Sequence, residues 1–290
     1  MRKLIDIHPH IVSTDTVRYP VAPLGGKRSD WSKHRSVDFE ELLAAMNAAG
    51  VDQAAIVHSS TTYGYDASYL ADAIAGHEDR FAGVFSVDVL AADAIEKIRY
   101  WLGRGLSGLR LFAVGSTVKT DQAWLADPAS FPAWQFCSDN GIAVAVAMRQ
   151  DGLPHLEKVI RRFPDVRIIL DHLLHAPMTD GPPYREAAPL FGMAQYPNIY
   201  LKLTSAIIRR SHEAAATPES FFGQLLQTFG SGRIAWGSNF PAAEGSLPEL
   251  VTEAKDTLSI LSPEDQDNIF RRTAELLYPA LARESAHKLP

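Results

Sequence analysis

The side chains best placed to do chemistry fall within the first dozen positions, in the run K-L-I-D-I-H-P-H-I-V from Lys3 to Val12. Residues two apart in a strand share a face, so His8 and His10 leave a buried strand on one side, with Asp6 one layer deeper. Burying Asp, His and His together is costly unless the groups are paired or used. The chemistry they suit is proton transfer, because imidazole titrates near neutral pH. A satisfied polar layer inside a barrel is the plain alternative.

The rest of the chain supplies the frame that must hold these groups. Apolar strand-like runs alternate with helical ones: strands at 53–59, 81–88, 107–114, 142–149, 167–173, 199–204 and 233–240 follow the first. Helices are expected at 39–50 (N-capped by Asp38 and closed by Gly50), 66–78, 91–102, 128–140, 154–163, 185–195, 218–229 and 247–260. Continuous apolar strands mean both faces are buried, as in a parallel sheet covered by helices. Eight such units point to a single (β/α)₈ TIM barrel over residues 1–290. Residues 262–282 read as extra C-terminal helices packing on the outside, with Ser262 as N-cap and Pro263 at the first helical position. No glycine-rich phosphate loop follows the first strand, which argues against an open dinucleotide-binding sheet. The irregular stretch 13–36, rich in Pro and Gly and carrying Arg18, Lys27, Arg28, Trp31, Lys33, His34 and Arg35, reads as a basic lid.

In such barrels the active site lies at the C-terminal strand ends. Those ends carry His8, His10, His58, Asp88, Arg110, Arg149, Asp171, His172, His175, Lys202, Ser238 and Asn239. Arg110 and Arg149 suit bidentate carboxylate recognition, the alternative being an ion pair with a barrel aspartate. Lys202, His58, His175 and Trp31 are further substrate-binding candidates, although His58 and Asp88 can simply cap loops and Lys202 can pair with a carboxylate. With the lid, these cations predict a small anionic substrate drawn into a positive mouth.

Composition narrows the classes. The 290 residues carry a formal net charge of −6, which gives no reason to expect nucleic acid or an anionic membrane as partner. The one cysteine, Cys137, excludes an intramolecular disulfide, and its neighbours Trp134 and Phe136 make it a packing position rather than a nucleophile. The first strand begins by residue 3, leaving no room for a signal peptide, and no apolar run reaches the roughly 20 residues of a spanning helix. A cytoplasmic protein is expected. A homodimer is compatible with the chain, though no apolar stripe assigns an interface.

Taken in order, H-x-H on the first strand, G-L-R-L-F at 108–112, D-H on the sixth, T-D-G-P at 179–182, Y-L-K-L on the seventh and W-G-S-N-F-P on the eighth resemble the amidohydrolase superfamily, in its lactonase-like branch. Two departures matter. The fifth strand ends in Met148 and Arg149 where metal-dependent members carry a histidine, and Asn239 replaces the aspartate that binds metal and activates water. A neutral amide cannot be that base and is a poor zinc ligand. The resemblance therefore implies catalysis without a cofactor; if zinc is bound, His8, His10 and His172 are the set to hold it. It implies a hydrolase that opens a carboxylated lactone from sugar-acid or aromatic catabolism, with His8, His10, His172 and Asn239 as catalytic residues and His172 as the base. The alternatives are a metal-independent lactone isomerase, in which Asn239 binds substrate, and a ligand-binding barrel without activity.

Overall fold

The eight apolar runs pair side by side in chain order, all parallel: β1 (Ile5–Asp6), β2 (Gln53–Val57), β3 (Phe81–Phe85), β4 (Gly108–Phe112), β5 (Val144–Ala147), β6 (Ile168–Leu170), β7 (Ile199–Thr204) and β8 (Ile234–Gly237). The amide of Ile7 donates to the carbonyl of Trp236 at 3.2 Å, bringing β8 back to β1 and making a (β/α)₈ barrel. This computed structural model describes residues 3–115, 117–118 and 120–282; the ends of the expected 1–290 domain lie outside them. Among the described residues no helix is long and apolar enough to cross a membrane.

Helix starts follow local chemistry. Asp38 accepts from the Glu41 amide while Glu41 returns to the Asp38 amide, and Gly50 ends that helix with φ 67°. Ser246 and Glu249 form a second capping box, and Ser262 accepts from the Asp265 amide. Residues 185–195 divide into three short turns rather than one helix, and the 13–36 stretch contains only short helical pieces at Leu24–Gly26 and Asp30–His34. The C-terminal segment does more than lie outside. Tyr278 and Leu281 join Ile5, Ala55, Val84 and Ala145 in one buried cluster. A Cβ on Gly108 would come 2.7 Å from the Tyr278 ring, so this plug closes the barrel at the strand starts, leaving the opposite end open to carry a site.

Two strands stop early, and both stop where function begins. The first is regular over only two residues, because Pro9 has no amide to continue the ladder. The Asp6 carboxylate replaces the missing pairings, accepting from the amides of His8 (2.9 Å) and Ser238 (2.8 Å) and from the Ser238 hydroxyl (2.5 Å). The expected simple alternation therefore fails past Asp6, although both histidines still reach one cavity. The sixth strand ends at Leu170 and turns into four consecutive left-handed residues, His172 to His175, with φ between 48° and 57°. Left-handed backbone at non-glycine residues costs of order 1–3 kcal/mol each and concentrates at functional positions.

Candidate active site

A cavity of about 220 Å³ opens at the C-terminal strand ends, lined by His8, His10, His58, Arg110, His172, His175, Asn239 and Trp31 among others. The structure thus gathers eight of the ten candidates. The His8 ring meets His10 edge-on at 4.8 Å and His172 at 4.9 Å, while His172 stacks on His175 at 5.0 Å and His10 on Trp31 at 5.1 Å.

The three central imidazoles differ in their partners. The Nδ1–H of His10 donates to the Val57 carbonyl at 2.8 Å; a carbonyl only accepts, so Nε2 is the basic nitrogen. His172 Nδ1 meets the Thr204 hydroxyl at 3.0 Å, a partner that can donate or accept. Both His8 ring nitrogens are buried without a hydrogen-bond partner among the described residues. Burial, assisted by nearby Lys202 and Arg110, lowers the pKa of all three: His8 falls well below the usual histidine value, while His10 and His172 each fall to about 3. His58 falls to about 4 by the same desolvation, its Nε2–H donating to the Gly64 carbonyl at 3.0 Å. The cluster is neutral.

The charges lie beside it. Asp171 is fully buried, with Arg110 Nε at 2.7 Å on one oxygen and Lys202 Nζ at 2.7 Å on the other. Burial alone would raise this carboxyl, but Lys202 and Arg110 outweigh it and hold Asp171 well below the usual carboxylate range. Lys202, 0% exposed, is spent on Asp171 and does not line the cavity, so its expected role as a substrate contact gives way to an internal ion pair. Arg110 has a double role. Its Nε holds Asp171, its guanidinium carbon lies 4.8 Å from the Phe112 ring centre, and it lines the cavity, with no hydrogen bond from its terminal nitrogens to any described residue. Arg149 is exposed and off the cavity wall; it acts only at a distance, adding to the burial that lowers His175.

The basic stretch 13–36 brings Trp31 to the wall, and three of its cations are used locally. Arg18 pairs with Asp72 at 2.7 Å, Lys33 with Asp30 at 3.8 Å and Arg35 with Glu244 at 3.2 Å. The guanidinium on the wall is that of Arg110. Asn239 lines the wall with φ 59°, a left-handed conformation that asparagine tolerates better than most residues. The wall also includes Ser59, Ser60 and Thr61, from the hydroxyl run that directly follows His58 and that sequence reading passed over.

A metal ion is a poor fit. The donor atoms of His8, Asp171 and His172 lie within 4.8 Å of one another, with Asp171 rather than His10 as the third member. The free nitrogens of His8 would accept a ligand, but both Asp171 oxygens already face cations at 2.7 Å. A dication there would sit beside Arg110 and Lys202 with no uncommitted carboxylate to offset it.

The amidohydrolase family model matches residues 5–280. The chain is 28% identical over 209 residues to the L-fucono-1,5-lactonase of Burkholderia ambifaria, covering 71% of this chain and 69% of that protein. Its fold matches that of a candidate 2-pyrone-4,6-dicarboxylic acid hydrolase from Pseudomonas putida, with TM-score 0.77, 18% identity and 97% and 98% of the two chains covered. It also matches an amidohydrolase from Burkholderia multivorans with bound zinc, with TM-score 0.75, 20% identity and 96% and 99% covered.

Proposed function

From a chain that belongs to the amidohydrolase family, we infer an enzyme that opens the ring of a carboxylated lactone by hydrolysis, without a metal ion. The observation that carries this reading is Arg110, a 5% exposed residue that lines a cavity of neutral histidines and whose terminal nitrogens make no hydrogen bond to a described residue. Asp171 takes only the Nε of Arg110, so the two terminal nitrogens of this buried guanidinium, without a hydrogen bond to any described residue, are left for an anion. The relative named as a lactonase supports the ester of a lactone as the bond broken.

The steps follow from the partners of each ring. A substrate carboxylate meets the two free nitrogens of Arg110 and cancels the charge that helps depress His10, so His10 becomes more basic once substrate is bound. Its Nε2 then takes a proton from water as the oxygen attacks the lactone carbonyl. His10 replaces His172 as the first base because only its tautomer is fixed by a carbonyl. His172, with the Thr204 hydroxyl able to donate to Nδ1, keeps its Nε2–H as a hydrogen-bond donor to the ring oxygen, and the proton that His10 took from water passes to that oxygen as the C–O bond breaks. The Asn239 amide donates to the developing oxyanion. The new carboxylic acid gives its proton to solvent, and both histidines are neutral again.

Asn239 also favours a second reading. A neutral amide hydrogen-bonds a substrate hydroxyl, and if that hydroxyl attacks in place of water the product is a ring isomer. His10→Ala tests both readings: kcat on carboxylated lactones falls about 10²-fold or more, with Tm near the parent's. Near-parental turnover removes His10 from the mechanism. Dialysis against a chelator leaves the rate unchanged, and a loss reversed by zinc contradicts the metal-free reading.

A further inference from the structure

A second chamber of about 270 Å³ adjoins the reaction cavity, walled by Leu24, Tyr65, Val89, Leu90, Val118 and Trp124. Phe112 lines both spaces. Arg110 lies against this ring, and a Cβ on Gly115 would come 2.0 Å from its tip, so the partition stands where it does because position 115 has no side chain. The lid roofs the chamber. At Gly25, with φ 75°, a Cβ would lie 3.2 Å from the Val118 methyl and the Thr117 carbonyl.

The chamber's polar groups are engaged with one another. Asp88 accepts from the Leu90 amide at 3.0 Å, and the Trp124 indole N–H donates to the Thr120 hydroxyl at 3.1 Å. Apart from the second oxygen of Asp88 and the Tyr65 hydroxyl, the surface left for a ligand is apolar. At the rim, Leu90 is 40% and Tyr65 39% exposed, two large apolar side chains left in water beside an apolar cavity. A dry cavity of about 150 Å³ suffices to bind benzene, so this one takes an aromatic ring with room to spare.

We propose that the chamber binds an aromatic substituent of the substrate, the ring lying beyond Phe112 while the carboxylate meets Arg110, so that the enzyme selects aryl-substituted lactones. The reacting part of this assignment rests on the lactone reading above; the chamber itself does not. Two measurements on the full chain separate them. The first is fluorine NMR of fluorobenzene: the parent protein broadens and shifts its line saturably, and Leu90→Asp, a charge at an exposed rim position, weakens binding at least tenfold. No binding, or equal binding by the variant, overturns the proposal. The second compares kcat/KM on an aryl-bearing and an unsubstituted carboxylated lactone. The parent prefers the aryl lactone at least tenfold, and Leu90→Asp loses that preference while turnover of the plain lactone stays unchanged. Equal rates on the two lactones, or a variant that slows both alike, overturns it. If fluorobenzene binds through Leu90 but no lactone turns over, the chamber stands and the lactone reading falls.

Discussion

Two halves of one cavity wall treat polar groups in opposite ways. Along β4, β6 and β7 the charged groups are tied to one another: Asp171 holds Arg110 and Lys202, each at 2.7 Å, while the terminal nitrogens of Arg110 are left for a ligand. Along β1 the His8 ring is buried with neither nitrogen partnered. A satisfied buried ion cluster maintains geometry, and removing one member leaves an uncompensated charge. An unsatisfied neutral ring weakens the free protein and becomes useful only when a ligand arrives. The first half maintains geometry and the second is left open for a ligand, with Arg110 and His172 belonging to both.

The sharpest break of that contrast is Asp171→Asn, which strands Lys202 in the core; it should cost about 3–5 kcal/mol and appear as a large fall in denaturation midpoint. A variant as stable as the parent would show that the ion cluster is not structural. His8→Met, close in volume, should do the reverse: activity falls because two unpartnered ring nitrogens are lost from the cavity wall, while Tm holds or rises, since a ring with no partner among the described residues is replaced by an apolar chain. A clear drop in Tm would mean that His8 is tied into the fold.

The buried neutral histidines make stability depend on pH. His10 and His172 at about 3 and His58 at about 4 lie below the usual unfolded value near 6.5, so the unfolded chain binds more protons between those limits. Their contribution is complete above about pH 6.5 and is lost as pH falls toward 4, each adding at most about 1.4 kcal/mol per pH unit. Thermal melts from pH 7.5 to 4.5 should show this slope, and His58→Gln should make it shallower; a flat profile contradicts neutral burial. The smallest effect expected is that of Asn239→Asp. It should fold with a Tm within a few degrees of the parent and gain no zinc-dependent hydrolysis, because the flanking cations remain. Zinc-stimulated turnover would show the site closer to a metal centre than its charges suggest.

The barrel was legible because eight apolar runs of strand length alternate with capped helices, and that pattern survives whatever the loops do. His8, His10 and His172 were legible as types at strand ends. Their environments were not. Whether Arg110 binds substrate or Asp171 depends on a partner 61 residues away, and the fate of Lys202 on the same carboxylate. Arg149 and Lys202 look alike in sequence, one residue after an apolar run and one within it, yet one lies exposed and the other wholly buried. The hydroxyl run Ser59–Thr62 begins at the expected end of the second strand; its position directly after a strand-end histidine was the available signal. The left-handed turn at His172–His175 left no glycine to announce it.

The central claim is ring opening by neutral histidines around a bound carboxylate, and proton NMR of the chelator-treated enzyme with a panel of mono- and dicarboxylated lactones tests it most directly. The account predicts ring-opened acid from at least one carboxylated lactone, formed without added metal and abolished in His10→Ala. A lactone that changes ring size before any acid appears would make the enzyme an isomerase, and a panel left unchanged until zinc is added would contradict the account.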